Sequence, residues 1–256
     1  MYLLPRHAEI VEIARTEGRV MVEDLAERFA VSPQTIRKDL NQLCDRRQLN
    51  RIHGGALYPT GRANVEYEQR RRMAAAEKSR IGEAAAALIP DNASLFINIG
   101  TTTEAVSAAL QTHSGLMVVT NNINVANQMR LNPNNEIVIT GGIVRSSDGG
   151  IVGEAAVDFI KQFKVDYAVI GTSAIDQDGA LLDFDFREVK VSQAIMENAR
   201  HVILVTDSSK FERTAPVRIG HLSEIDTFIT DFCPTPVIRR ICRDADIRLI
   251  ETESPE

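Results

Sequence analysis

Between Phe29 and Leu40 the chain has to end one helix and begin another within a few residues. Ser32 is an N-cap residue, and Pro33 follows at the first helical position, where its missing N–H costs nothing. Counting from Pro33, Ile36, Leu40 and Leu43 fall on one face. Gln34, Thr35, Arg37, Lys38, Asn41 and Gln42 are left on the outside. Arginine, lysine, glutamine and asparagine are the side chains that pair with phosphates and base edges. The segment predicts a recognition helix, with Ser32, Gln34, Thr35, Arg37, Lys38 and Asn41 as its DNA-contacting residues.

The flanking sequence supports a winged helix-turn-helix over residues 1–57. One helical pattern runs from His7 to Thr16, carries Ile10, Ile13 and Ala14, and stops at Gly18. A second runs from Val22 to Phe29 with Leu25, Ala26 and Phe29 inside, and Ala30-Val31 supplies the turn. Beyond Leu43, residues 49–57 alternate briefly and contain Gly54-Gly55, the pattern of a β-hairpin wing. Arg51 and His53 on that wing would hold phosphates. The formal net charge of -6 does not oppose this. DNA feels a local patch, and Arg37, Lys38, Arg46, Arg47, Arg51 and His53 cluster against only Asp39 and Asp45.

Residues 58–76 hold Pro59, Gly61 and the run Arg70-Arg71-Arg72 without a sustained apolar period, which predicts a linker. The arginines fit a solvated linker or DNA phosphates equally well. A helix is expected from about Glu77 to Ile89, ended by Pro90. Short apolar runs then alternate with amphipathic helices. The expected strands are Leu95–Ile99, Met117–Thr120, Ile137–Thr140, Tyr167–Gly171, Val202–Thr206 and Thr227–Thr230. Helices are expected near Glu104–Leu110, Val125–Met129, Ala155–Gln162 and Glu188–Asn198. This rhythm predicts an α/β domain with a parallel sheet over residues 77–256. No apolar run approaches the roughly 18 to 20 residues of a membrane span, and no signal-peptide core opens the chain, so a cytoplasmic protein is expected. Cys44, Cys233 and Cys242 lack metal-ligand spacing, so reduced thiols are expected and neither a metal nor a cofactor.

Nearly every expected strand ends in glycine or small polar residues. The loops are Gly100-Thr101-Thr102, Asn121-Asn122, Gly141-Gly142 and Asp207-Ser208-Ser209-Lys210. Ligands of open parallel sheets bind beyond the carboxyl ends of the strands. A Gly-Thr-Thr turn opening a helix can seat a phosphate, and Lys210 would add a full charge. Arg145, Asp148, Asp183 and Glu188 form a second rank of candidates; Asp183, Asp185 and Glu188 could also be acid/base carboxylates, although exposed loop acids are commoner.

Residues 31–40 together with Arg51-Ile52-His53-Gly54-Gly55-Ala56 resemble the DeoR family of bacterial transcription regulators. The resemblance continues through Ile99-Gly100-Thr101-Thr102, Thr120-Asn121-Asn122, Thr140-Gly141-Gly142 and Asp207-Ser208-Ser209-Lys210-Phe211. It implies a repressor that binds a palindromic operator as a homo-oligomer and is released by a phosphorylated metabolite. Residues 145–154 and 181–185 are similar to those of members that answer to glycerol 3-phosphate; another sugar phosphate is the alternative. The resemblance also implies a sensor domain similar in fold to ribose-5-phosphate isomerases. Those enzymes carry paired aspartates in a loop that here reads Gly171-Thr172-Ser173-Ala174-Ile175, and Gly, Thr and Ser cannot replace a carboxylate base at neutral pH. A binding site without catalysis is therefore expected. Asn98 departs from the family pattern, where many members carry an acid.

Overall fold

The computed structural model describes residues 5–17, 19–46, 48–52, 54–57 and 67–253. The chain divides into two compact units, Met1–Ala63 and Asn64–Glu256.

The first unit runs α1 (Pro5–Glu17), β1 (Arg19–Met21), α2 (Val22–Arg28), α3 (Pro33–Asp45), β2 (Asn50–Ile52) and β3 (Gly55–Leu57). Ile10, Ala14, Val22, Leu25, Ile36, Leu40, Leu43, Leu49 and Ala56 build its core. The hairpin wing is present as β2 and β3, and β1 completes an antiparallel sheet in the order β1-β3-β2. At three residues, β1 is too short for an alternating pattern to register in the sequence. Ala30 takes the left-handed conformation at φ 51° and stops α2, and the Val31 N–H returns to the Ala26 carbonyl at 3.0 Å. Asp39, which the sequence marks only as a stray acid in a basic patch, is buried. It accepts from Arg6 Nε at 2.7 Å and sits 3.0 Å from His7 Nε2, tying α3 to α1.

The second unit opens with α4 (Tyr67–Arg72) and α5 (Ala75–Ala86), followed by β4 (Ser94–Ile97), α6 (Thr101–Ala109), β5 (Met117–Thr120), α7 (Ile123–Met129) and β6 (Glu136–Ile139). Next come β7 (Ile143–Val144), β8 (Ile151–Val152), α8 (Glu154–Ile160), β9 (Val165–Ile170), β10 (Ala174–Ile175), β11 (Ala180–Asp183) and α9 (Phe186–Glu197). The chain closes with β12 (Ala199–Val205), β13 (Val217–His221), β14 (Thr227–Thr230), α10 (Pro236–Asp244) and β15 (Arg248–Glu251). Residues 58–66 of the expected linker lie outside the described residues. From Tyr67 onward the chain is helix within the second unit, so residues 67–76 are corrected from linker to domain. Six residues of α4 are too few to show an apolar stripe, and polar contacts hold the helix instead.

Seven strands form the main sheet in the order β15-β14-β12-β9-β4-β5-β6, every neighbouring pair parallel. Both faces are buried, which is why the strands read as near-continuous apolar runs. Leu95, Ile97, Val169, Ile203 and Val205 face one core with Ile81, Val106 and Val125 of α5, α6 and α7. Phe96, Ala168, Ile170 and Leu204 face the other with Ile160, Ile195 and Ile238 of α8, α9 and α10. Gly82 lets α5 lie against α6, since a Cβ there would meet the Ala105 carbonyl oxygen at 2.6 Å. A second sheet, β10-β11-β13, is antiparallel and carries Asp183 at the end of β11. No described helix is long and apolar enough to cross a membrane.

Candidate functional site

On α3 the sequence expectation becomes a geometric one. Gln34, Arg37, Lys38 and Asn41 are all exposed, and their spacing of three, four and seven places them on one face. Ile36, Leu40 and Leu43 point the other way, fully buried. Ser32 Oγ accepts the Thr35 N–H at 3.2 Å and lies 2.9 Å from Thr35 Oγ1, so both residues are engaged in starting the helix. Arg37 Nη2 stands 3.7 Å from Glu23 Oε1, a surface pair of the kind that contributes little stability. Arg51 belongs to β2, and His53 lies outside the described residues.

In the second unit the strand order reverses between β4 and β9. From β4 the chain builds outward through β5 and β6, then crosses to β9 and builds the other way. Ligands of open sheets bind in the crevice at such a reversal. Here it holds a cleft with about 400 Å³ of empty space, counted out to its open mouth. Residues 99–103 after β4, residues 171–173 after β9, Val205 and Lys210 at and after β12, Asp183, Glu188 and Arg70 line it.

One end of the cleft is suited to an anion. Gly100, the N-cap of α6, has φ 149°, a conformation L residues rarely adopt, and offers no side-chain cap. The first-turn N–H groups of α6 are thereby left to a ligand. Lys210 sits in the turn Ser208–Glu212, which Asp207 caps through the Ser209 N–H. Lys78, Lys210 and Arg213 act on one carboxylate, Asp207, while Arg70, which pairs with Asp148, adds its charge at Lys210. Lys78 Nζ donates to the carbonyls of Arg70 at 2.6 Å and Met73 at 2.7 Å and lies 3.9 Å from Asp207. Burial, then the Arg213 charge, pushes the Lys210 ammonium down to about 7 against the pull of Asp207. Burial would raise the Asp207 carboxyl, but Lys210, Ser209 and Lys78 hold it below the usual carboxylate range.

Acids crowd the other end. Arg145 grips Asp148 with two bonds of 2.8 and 2.7 Å, Asp185 at 3.2 Å and Glu188 at 2.6 Å. Asp183 accepts from the Phe184 N–H at 2.6 Å and from Ser173 Oγ at 3.1 Å. Burial, reinforced by the Asp183 charge, pushes Glu188 up to about 8 despite Arg145. Burial also raises Asp183.

Of the residues expected to meet an effector, Gly100, Thr101, Thr102, Asp183, Glu188 and Lys210 line the cleft, and Arg145 and Asp148 stand behind it. The structure does not bring Asn121, Asn122, Gly141 and Gly142 there. They follow β5 and β6, which lie one and two places from β4, or roughly 5 and 10 Å off at ordinary strand spacing. Asn121 donates to the Ile151 carbonyl at 3.1 Å. Asn122 donates to Glu104 Oε1 at 3.1 Å and caps α7 through the Asn124 N–H at 2.9 Å. Gly141 and Gly142 are exposed. Asn98 is spent internally: its amide donates to Ser192 Oγ at 2.7 Å and its oxygen accepts from the Ile99 N–H at 2.7 Å.

Arg70 was not legible as a site residue. It lines the cleft and donates to Asp148 Oδ2 at 3.2 Å. Three residues earlier, the Tyr67 hydroxyl donates to Glu104 Oε2 at 2.7 Å and accepts from Asn124 Nδ2 at 3.0 Å. Burial and Glu104 raise the Tyr67 phenol well above its ordinary range, so it stays protonated as a donor. Thr103 also lines the cleft, as do Thr172 and Ser173 from the loop that the resemblance matches to the aspartate-bearing loop of the isomerases.

A winged helix-turn-helix joined to a parallel-sheet domain with an anion cradle at its switch point defines a ligand-responsive transcription regulator. Residues 6–62 match the DeoR-like helix-turn-helix domain and residues 73–232 the DeoR C-terminal sensor domain. The chain belongs to the DeoR family. It is 47% identical to the glycerol-3-phosphate regulon repressor of Escherichia coli K12, over 95% of this chain and 97% of that one. To the glycerol-3-phosphate regulon repressor of Haemophilus influenzae it is 46% identical over 91% of each. Ribose 5-phosphate isomerase A from Neisseria gonorrhoeae overlaps 52% of each chain at 12% identity with a TM-score of 0.38. Perturbed acids and amines such as Glu188 and Lys210 also serve proton transfer in enzymes. In this family the domain that carries them is a sensor.

Proposed function

We propose that the chain represses glycerol 3-phosphate metabolism by holding operator DNA, and that glycerol 3-phosphate in the cleft releases it. The observation that carries the reading is the charge imbalance at the β4–β9 switch point. Three basic side chains, Lys78, Lys210 and Arg213, gather on the Asp207 carboxylate beside an uncapped helix N-terminus, and a phosphate dianion satisfies both. The name borne by the E. coli and H. influenzae relatives supports the particular phosphate ester. Gln34, Arg37, Lys38 and Asn41 enter the major groove, with Arg51 and His53 on the backbone. Two copies of the chain pair their recognition helices on the half-sites of a palindrome, about 34 Å apart.

Release requires different affinities for the ligand in the DNA-binding and the released states. Arg70 is the group placed to convert one into the other. It reaches the cleft from α4, which directly follows residues 58–66, the segment that connects to the wing. A phosphate that draws Arg70 from Asp148 shifts α4 and the segment attached to it. A coupling of about 1 to 3 kcal/mol loosens operator binding roughly 5- to 150-fold.

The test is a titration of glycerol 3-phosphate, then ribose 5-phosphate and fructose 6-phosphate, against the full-length protein on labelled operator. Release by glycerol 3-phosphate at a concentration at least tenfold below the others is expected. Failure of every phosphate ester to release the operator removes the sensor reading.

A further inference from the structure

The acidic end of the cleft is more than a structural brace for Arg145, because the charges there do not balance. Four carboxylates, Asp148, Asp183, Asp185 and Glu188, stand against Arg145, Arg70 and, on the outer side of Asp185, Arg187. Arg145 is already divided among three of those carboxylates, all within 3.2 Å. Asp183 makes its bonds with neutral donors, the Phe184 N–H and the Ser173 hydroxyl. Both Asp183 and Glu188 are buried cleft-lining residues, at 6% and 8% exposed.

The two ends also differ in charge, with Arg70 reaching both. The charges that act most on Lys210 are Arg213, Asp207, Lys78 and Arg70, whereas those on Glu188 are Asp183, Arg145 and Asp148. A ligand seated with its phosphate at Lys210 and the α6 N-terminus therefore projects its far end toward acids. We propose that Asp183 and Glu188 set the ligand class: phosphate esters that end in hydroxyl groups enter, and those that end in a carboxylate are refused. This rests on the sensor reading given above.

A hydroxyl both donates and accepts, so it satisfies this pair whether the pair holds a proton or not. A carboxylate only accepts, and it brings a further negative charge beside two buried acids where burial already opposes ionisation. Selectivity here comes from the repulsive element as much as from the attractive one. The residues that an isomerase-like reading treats as acid/base groups act instead as a filter between an alcohol and the acid made by oxidising it. The two ligands then differ only in whether the far carbon is a hydroxymethyl or a carboxylate group.

The experiment is calorimetric titration of the full-length protein with glycerol 3-phosphate, 3-phosphoglycerate and inorganic phosphate at pH 7.5. Glycerol 3-phosphate should bind at least tenfold more tightly than 3-phosphoglycerate, which carries the same phosphate on a three-carbon chain ending in a carboxylate. Glu188→Gln and Asp183→Asn, each close in volume to the residue replaced, should narrow that gap through tighter 3-phosphoglycerate binding. Equal binding of the two esters to the unaltered protein overturns the filter and leaves the phosphate cradle standing. A gap unchanged in both variants overturns it as well. If none of the three compounds binds, the filter and the sensor reading fall together.

Discussion

Arg70 Nη2 and Arg145 Nη2 both donate to the same oxygen, Asp148 Oδ2, at 3.2 and 2.7 Å. Arg145 also holds Asp148 Oδ1, at 2.8 Å, so Asp148 keeps a bidentate partner when Arg70 leaves. Arg70 is thus the replaceable member of the cluster, and it belongs to the helix that begins the second unit.

Arg70→Ala tests that asymmetry. Because Asp148 keeps its bidentate bond to Arg145, the loss of thermal stability should stay below the roughly 3 to 5 kcal/mol of breaking a buried pair outright. Operator binding without effector should persist, while release by glycerol 3-phosphate should need at least tenfold more ligand. A gel-shift titration reads both. Wild-type release in this variant would overturn the role proposed for Arg70.

Lys210 should take up a proton when an anion binds. Its ammonium is held down at about 7, chiefly by burial and by Arg213. A phosphate dianion favours the charged form and raises that value. The sign follows: between about pH 7 and the raised value, binding is coupled to proton uptake, so affinity falls as pH rises from 7.5 to 9. Calorimetry in buffers of different ionisation enthalpy should report the uptake at pH 8. Lys210→Ala should abolish both the uptake and the response to effector. It should not lower the thermal midpoint, since it removes one cation from a crowded group. A variant that keeps the proton uptake would assign it to some other group.

The strands of the second unit could be read from the sequence because their residues are apolar on both faces, as Leu95-Phe96-Ile97 and Val202-Ile203-Leu204-Val205 illustrate. Which strands become neighbours could not, since a parallel sheet leaves no local trace of its order. That one missing fact separates the loop residues that line the cleft, Gly100, Thr101 and Lys210, from those that lie elsewhere, Asn121 and Gly141. Edge strand β15 was missed for a related reason: Arg248 is exposed and its neighbours are half-buried, so no apolar run marks it. The recognition helix needed no tertiary information. Its cap, its proline and its buried stripe are all local, and Ser32, Pro33, Ile36 and Leu40 sit as expected.

Asp39 is the residue on which the first unit's acid stability should depend. Burial would raise its carboxyl, but the bonds from Arg6 and His7 outweigh that and hold it below the ordinary range. A depressed carboxylate contributes stability above its unfolded value and loses it as pH falls through the folded one. The loss therefore falls below about pH 4. Asp39→Asn should remove this acid-dependent component and cost about 1 to 3 kcal/mol at neutral pH, because His7 is left buried with a weaker partner. Hydrogen exchange of the α1 and α3 amides, followed from pH 7 to pH 3, separates the two effects. Identical profiles for variant and parent would remove Asp39 from the account of how α1 holds α3.

Arg37 distinguishes the reading face of α3 from a merely solvated one. Its side chain is 54% exposed and its contact with Glu23 is 3.7 Å long, so Arg37→Ala should leave folding stability within about 0.5 kcal/mol. If Arg37 reads a base, operator affinity should fall by about 1 to 3 kcal/mol while non-operator DNA is bound nearly as before. If it holds a phosphate, both affinities should fall together and the dependence on salt should become shallower by about one ion. Fluorescence anisotropy on operator and scrambled duplexes at several salt concentrations tells the two apart. Unchanged binding to both duplexes would leave Arg37 on a solvated face and move the reading head toward Gln34 and Asn41, which share that face at the next turns.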